Sequence, residues 1–321
     1  MAVVDPLLPL VLDLDGTLIR TDTFHEMMVY LLTHKPWVLL LLPFWFLKGR
    51  AFAKARLTDL SDLSPHHLPY NPELLAFAQA EVQKGRPLIL ATGTDQRVAQ
   101  KIADHLGIFQ EVIGSDGHTN MTGPHKQKAL LERYGAQGFD YAGDSRIDTH
   151  IWQVARYALV VHPKWGVLKD ARVLKQADYI HHFPRGKLRF WAFFLALRPW
   201  FWLVNLMVFP GPLFISLNLL TSGLFMAGDL LSLSKERTRQ LRKSVFAEGH
   251  LHLITAFILI LLFVVLSILF LALSHYGSVS FILIYVPLFI GFDVFTRPFP
   301  QGIRWTLLVI FQYLALWALK V

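Results

Sequence analysis

In the first half of the chain, short stretches are apolar at nearly every position and each gives way to polar residues. The stretch from Leu7 to Leu14 is of this kind and predicts a strand buried on both faces of a parallel sheet. Similar runs at Pro87 to Thr92, Glu111 to Gly114, Phe139 to Ala142 and Tyr157 to His162 predict four more strands. Helical patterns lie between them, as at Asp95 to Leu106, Lys126 to Tyr134 and residues 146 to 156. Strands alternating with helices predict an α/β fold with a doubly wound parallel sheet, whose sites form at the carboxyl ends of strands.

Residues 20 to 72 interrupt that alternation. This insert contains Trp37 to Leu47, apolar throughout but too short to span a bilayer. Lys48, Arg50, Lys54 and Arg56 follow it, as basic residues flank helices that lie in a membrane interface. A core hairpin of a small helical cap is the other reading, and the apolar second half of the chain favours lipid contact.

Past about Gln176 the pattern changes. His181 to Arg189 reads as a basic linker bearing Pro184 and Gly186, and apolar runs follow at about 199–231, 251–274, 279–295 and 304–319. No Asp, Glu, Lys or Arg occurs from Leu251 to Ser274, long enough for a membrane helix. Pro210-Gly-Pro212 breaks the first run. The basic linker and the cluster Lys235 to Lys243 are both expected on the cytoplasmic side, which requires an even number of crossings between them and favours a broken hairpin.

Composition changes this picture in two ways. The formal net charge of +8 sits largely beside apolar segments, at Arg185, Lys187, Arg189 and Arg198, so it reads as membrane topology and not as nucleic-acid binding. The chain has no cysteine, which excludes disulfides, thiolate nucleophiles and Cys-ligated zinc. The amino terminus shows no basic region followed by an apolar one, so the expected site is a bacterial-type inner membrane, crossed several times, with the front domain in the cytoplasm.

The candidate chemistry lies at the predicted strand ends. Asp13 and Asp15 are one residue apart at the end of an apolar strand, in Asp13-Leu-Asp-Gly-Thr17, and such spacing sends both side chains to one side. Thr92 closes another strand, Lys126 opens a helix with Lys128 as its rival, and Gly143-Asp-Ser-Arg-Ile-Asp148 follows a third strand. Taken singly, each has an ordinary reading as a helix cap or a solvated cation. His25, His181 and His182 receive no role, and Glu26 is either a substrate-reading group or a plain cap residue.

These four motifs, in this order, resemble those of the haloacid dehalogenase superfamily of phosphohydrolases over about residues 7 to 165. The resemblance implies that Asp13 is the nucleophile and Asp15 the acid/base. It implies that Thr92 binds the phosphoryl group and Lys126 offsets its charge. Mg²⁺ would be held by Asp13, the backbone carbonyl of Asp15 and Asp144, with Asp148 a turn beyond as a further or indirect ligand.

In the second half, Leu197 to Phe209 resembles the opening of UbiA-type polyprenyl transferases. Asp229 falls in that family's aspartate-rich motif, with Gly228, Ser232 and Glu236 where the family has Asn and two Asp residues. Asp229 and Glu236 are therefore a possible second metal site, in a shortened and degenerate form. Asp293, beside Arg297, is another carboxylate in the apolar region.

The expected organisation is a phosphatase domain over residues 1–182 with its cap at about 20–72, and a UbiA-like transmembrane domain over 183–321. The expected activity is a Mg²⁺-dependent phosphatase acting on a phosphorylated polyprenyl-linked sugar or related lipid. Membrane lipids and another membrane transferase are the expected partners. Prenyl or phosphoribosyl transfer by the second half, or a scaffold role for it, are the alternatives.

Overall fold

The computed structural model describes residues 8–163, 166–174, 180–184, 189–199, 202, 212–239, 244–272 and 307. The chain divides into two compact units, Met1–Lys187 and Leu188–Val321.

The first unit is built on a six-stranded, wholly parallel sheet. Its strands are β1 (Leu10–Leu12), β2 (Leu88–Asp95), β3 (Glu111–Ser115), β4 (Asp140–Gly143), β5 (Ala158–Val161) and β6 (Ile180–Phe183), in the spatial order β3-β2-β1-β4-β5-β6. Alternate residues of each strand feed opposite faces. Leu10, Leu12, Leu88, Leu90, Leu159 and Val161 enter one apolar core, and Val11, Ile89, Tyr141, Ala158 and Val160 enter the other. Both faces are covered, which is why the runs read as continuously apolar instead of alternating.

The elements differ in extent from the sequence pattern. β1 is confined to Leu10–Leu12; the Asp13 amide still donates to the Ala142 carbonyl at 3.0 Å, and the chain turns beyond it. β2 runs past Thr92 to Asp95, so Thr92 lies within the strand and not at its close. The helix expected over 146–156 is a 3-10 turn at Arg146–Asp148 followed by a short helix at Thr149–Val154. The largest correction is β6: residues assigned to the linker pair with β5 along its whole length. Phe183 is buried and Ile180 half-buried while His181 and His182 are exposed, so the strand is polar enough in its middle to pass for a loop. His181 stacks on Phe77 and, among the described residues, belongs to no group arranged for a metal.

The connecting helices are α1 (Thr23–His34), α2 (Leu42–Leu47), α3 (Arg50–Leu60), α4 (Pro72–Gln83), α5 (Gln96–Leu106), α6 (Pro124–Tyr134), α7 (Thr149–Val154) and α8 (Val167–Leu174). Their starts are set locally. The Asp22 carboxylate accepts from the Phe24 amide at the head of α1, and the Asp95 carboxylate accepts from the Arg97 amide at the head of α5. The first three helices form the insert, with a 3-10 segment at Pro36–Leu41. Its base is pinned where the Arg20 amide donates to the Pro69 carbonyl at 2.8 Å and the Asn71 amide to the Leu18 carbonyl at 2.9 Å.

In the second unit the described helices are α9 (Arg189–Leu197), α10 (Pro212–Arg239) and α11 (Leu253–Ala272). Two segments are long and apolar enough to cross a membrane, Phe214–Leu233 and Leu253–Phe270. Ser216 on α10 hydrogen-bonds the Ser267 hydroxyl and carbonyl of α11 at 3.0 and 2.8 Å, so these two helices pack through a small polar seam. The Pro210-Gly-Pro212 break, Asn205, the end of the basic cluster at 240–243, Asp293 and Arg297 lie wholly or partly outside the described residues. So do the runs at 279–295 and 304–319, apart from residue 307.

Candidate active site

The sheet reverses its order on either side of β1, and the carboxyl ends of β1, β2 and β4 meet at that switch point. Asp13 follows β1 directly, Thr92 lies in β2, and Asp144 follows β4. Lys126, in the first turn of α6, completes the group: its Nζ donates to Asp13 Oδ1 at 2.7 Å. Lys126 is buried, whereas Lys128 is exposed and pairs with Glu132 on its own helix. Packing therefore separates the two lysines that the sequence left as rivals.

Asp13, Asp144 and Asp148 each offer a carboxylate oxygen, and these oxygens lie within 4.8 Å of one another. Gly16 makes the approach possible. Its φ is +80°, and a Cβ there would stand 2.6 Å from Asp144 Oδ2, so only glycine fits both the turn and the carboxylate. The donors are all hard oxygens with no histidine among them, which suits a hard divalent cation such as Mg²⁺.

The two outer carboxylates are held differently. Asp148 Oδ2 accepts from the Asp144 and Ser145 amides and the Ser145 hydroxyl, and Oδ1 accepts from the Tyr141 hydroxyl at 2.9 Å. With both oxygens so engaged, Asp148 shapes the loop that carries Asp144. Asp15 stands outside the three-carboxylate group. Its Oδ1 accepts from the Thr23 amide at 2.7 Å, and its Oδ2 accepts from the Thr94 hydroxyl at 2.7 Å.

Burial pushes the Asp13 carboxyl up from 3.8 to about 6, against the pull of Lys126, with Asp148 and Asp15 adding to the rise. Burial likewise pushes Asp15 up to about 6, aided by Asp22 and opposed by the bonds from Thr23 and Thr94. Both carboxyls therefore take up protons at a higher pH than an ordinary carboxylate does. Burial also keeps the Tyr141 hydroxyl protonated, with Asp148 and Asp13 adding to the effect.

β2 carries a distortion where it passes the site. Ala91 pairs with Ile113 and Asp95 with Ser115, so β2 spends four steps where β3 spends two. Thr92, Gly93 and Thr94 bulge out of the ladder, and the Thr94 amide turns to the Thr92 hydroxyl at 3.1 Å. From the insert, Lys54 Nζ reaches the Gly93 carbonyl at 2.5 Å and Asn120 Oδ1 at 3.3 Å.

Residues 10–151 match the haloacid dehalogenase-like hydrolase family. The first unit contains a haloacid dehalogenase-like hydrolase domain. Across 274 residues the chain is 30% identical to the protein y4nM of Sinorhizobium fredii, a match covering 79% of this chain and 52% of y4nM. The chain thus spans about half the length of that relative. Among solved structures, it is similar to phosphoserine phosphatase in apo form, with 14% identity, 57% of this chain and 96% of the other covered, and a TM-score of 0.39. It is also similar to a protein described as a predicted phosphoglycolate phosphatase from Haemophilus somnus. There the identity is 15%, with 55% and 94% covered and a TM-score of 0.38.

Several groups around the hydrolase site were not singled out by sequence. The Tyr141 hydroxyl accepts a hydrogen bond from the Lys126 ammonium at 2.9 Å and donates one to Asp148 Oδ1 at 2.9 Å, joining two motifs far apart in the chain. Thr23 and Thr94 anchor Asp15, and Lys54 comes from the insert. No local pattern singles out Thr94, because the bulge breaks the alternation there, or Tyr141, which reads as a core residue of β4. Glu26, left open between two readings, is buried in the first turn of α1.

The second unit does not bring Asp229 and Glu236 to one place. Arg198 donates to Asp229 Oδ1 at 2.6 Å, while Glu236 accepts from the Ser232 hydroxyl at 2.7 Å and the Ser244 amide at 2.9 Å. Seven residues apart on α10, they are separated by about 10 Å along the helix. Among the described residues, Asp13, Asp144 and Asp148 are the group arranged for a metal.

Proposed function

We propose that the chain is a Mg²⁺-dependent phosphatase that passes through an aspartyl-phosphate on Asp13. It is held at a membrane by its second unit and acts on a phosphorylated polyprenyl-linked sugar or a related lipid. The single observation that carries the catalytic part is the Lys126 ammonium on Asp13 Oδ1 beside two further carboxylates at the switch point of the sheet. A carboxylate attacks a phosphoryl group only where its own charge and the phosphate's are offset together, and this arrangement supplies that condition.

The residues divide the work. Asp13 attacks phosphorus in line and the ester bond breaks. Asp15, whose carboxyl is raised toward neutrality, gives a proton to the departing oxygen and then takes one from the water that cleaves the phosphoaspartate. Thr92 lies at the bulge where the phosphoryl oxygens would sit, and Lys126 balances their charge. A divalent cation among Asp13, Asp144 and Asp148 would screen the repulsion between nucleophile and phosphate.

The membrane assignment is supported by the two apolar helical segments, the second of which lies in α11. On that helix Ile254, Ile258, Leu261, Val265 and Leu269 are exposed in a way that suits lipid. Transfer of a prenyl or phosphoribosyl group by the second unit is not favoured, because Asp229 is engaged by Arg198.

Full-length protein in detergent should release phosphate from lipid-linked phosphosugars in the presence of Mg²⁺, and Asp13→Asn should abolish the release while leaving the protein folded. Undiminished release by the Asn variant would remove Asp13 as nucleophile. Release from soluble phosphosugars only would remove the lipid substrate.

A further inference from the structure

The insert turns to solvent a face as apolar as the one it buries. Within residues 37–47, Val38, Leu39, Leu42 and Trp45 pack inward against the core. Trp37, Leu40, Phe44 and Leu47 point the other way and are 62, 74, 65 and 85% exposed. Their spacing of three, four and three residues places them along one side of the consecutive helical turns. A contiguous exposed surface of this kind marks an interaction site.

The chemistry around the face identifies what meets it. No Asp or Glu occurs from Met27 to Thr58, while Lys35, Lys48, Arg50, Lys54 and Arg56 all lie in that interval. Lys48 and Arg50 are exposed just beyond Leu47 and form no ion pair among the described residues. Lys48 and Arg56 stand 5.3 and 5.4 Å from the centre of the Phe52 ring, extending a basic collar along α3. Arg56 pairs with Asp59 at 3.6 Å, and Lys54 turns inward, where it lowers the Asp15 carboxyl, so the rim's unpaired cations among the described residues are Lys48 and Arg50.

An apolar face with a cationic rim and no acid of its own complements an anionic bilayer, where side chains enter the acyl boundary and cations meet phosphates. A second copy of the chain fits less well, since a twofold contact would bring the same basic rims together. The segment is too short to cross hydrocarbon, so it lies in the plane of the surface.

We propose that the cap docks on the anionic surface of a lipid bilayer through Trp37, Leu40, Phe44 and Leu47, with Lys48 and Arg50 on the head groups. This deepens the phosphatase reading and rests on it only for the nature of the substrate. The docked face and the hydrolase site are joined by one helix, because α3 starts at Arg50 and carries Lys54 to the Gly93 carbonyl one turn later. A phosphate presented by lipid would thus meet the site from the cap's own side.

The absence of cysteine makes the test direct. Leu40→Cys and Leu47→Cys, each in the full chain, are labelled with an environment-sensitive fluorophore and placed in phosphatidylcholine vesicles with or without phosphatidylglycerol. Glu132→Cys on the exposed face of α6 is the control. The labels at 40 and 47 should shift to the blue and be quenched by lipid-borne nitroxides when phosphatidylglycerol is present, while the label at 132 is quenched by aqueous iodide.

Removing Lys48 and Arg50 with alanine should lower the docked-to-undocked ratio about fivefold per residue. Equal iodide access at 40, 47 and 132 would overturn the proposal. So would burial of both labels by a second chain, seen as energy transfer that persists without phosphatidylglycerol. Hydrolysis of p-nitrophenyl phosphate in the same vesicles separates the two readings: docking without hydrolysis overturns the phosphatase alone, and hydrolysis without docking overturns the cap surface alone.

Discussion

Tyr141 receives a hydrogen bond from Lys126 and gives one to Asp148, so a single hydroxyl aligns the cation on Asp13 with the loop bearing Asp144. Tyr141→Phe keeps the ring and removes the bridge. Hydrogen bonds to charged groups contribute about 1.5–3 kcal/mol, and a loss of about 2 kcal/mol in stability is expected by denaturant titration. Because Tyr141 positions Lys126 without touching the substrate, kcat should fall about tenfold while KM changes little. The raised carboxyls give a second residue-scale prediction. Asp13 and Asp15 titrate near 6 when folded and near 3.8 otherwise, so their cost to folding is complete above about pH 6 and is relieved as the pH falls toward 3.8. Cation-free protein in chelator should therefore melt at higher temperature as the pH is lowered from about 7 to about 5, and Mg²⁺ should reverse that trend. Melting curves with and without chelator measure both. Below that window Glu81 acts in the opposite sense. Burial raises its carboxyl, but the bonds from Lys84 and Arg86 outweigh this and hold it below 4.5, so its contribution is present above 4.5 and lost in stronger acid.

Between residue and domain, the turn after β1 shows what the sequence could and could not convey. Gly16 was readable as a tight turn, yet its closeness to Asp144 depends on a loop well over a hundred residues away. Gly16→Ala would force an L side chain into a left-handed backbone and into the Asp144 carboxylate. Mg²⁺-dependent phosphate release should fall at least about a hundredfold, with the fold retained by circular dichroism. The strands and helices around the sheet were legible because burial on both faces leaves continuous apolar runs bounded by polar residues. β6 was not, because an edge strand with two outward histidines carries only Ile180 and Phe183 as apolar signal. The bulge at Thr92 to Thr94 was also hidden: nothing in the local pattern reports that β3 spends fewer residues over the same span. The acidic, hydroxyl and amine motifs were legible by order and type. The groups that hold them, Tyr141, Thr23 and Thr94, were not, since they read as ordinary core and cap residues.

Across the first unit, charge is concentrated at two opposite ends of the strands. At the end away from the site, Arg86 is buried between Glu81, Asp140 and the Leu8 carbonyl, and Arg156 also reaches Asp140. This network ties α4, β4 and the chain before β1 together. Arg86→Met would leave Glu81 and Asp140 buried with less compensation, and a loss of about 3 kcal/mol or more is expected from denaturant titration. Phosphate release per folded molecule should be unchanged, since Arg86 lies apart from the carboxylates at the opposite end. At the site end the arrangement is set instead to receive charge. Lys54 spans the seam between insert and sheet, with a neutral carbonyl as its nearest acceptor. On the proposed phosphatase reading, a phosphate ester at the site would offer Lys54 an anionic partner beside that neutral carbonyl, and so would strengthen the tie between insert and sheet.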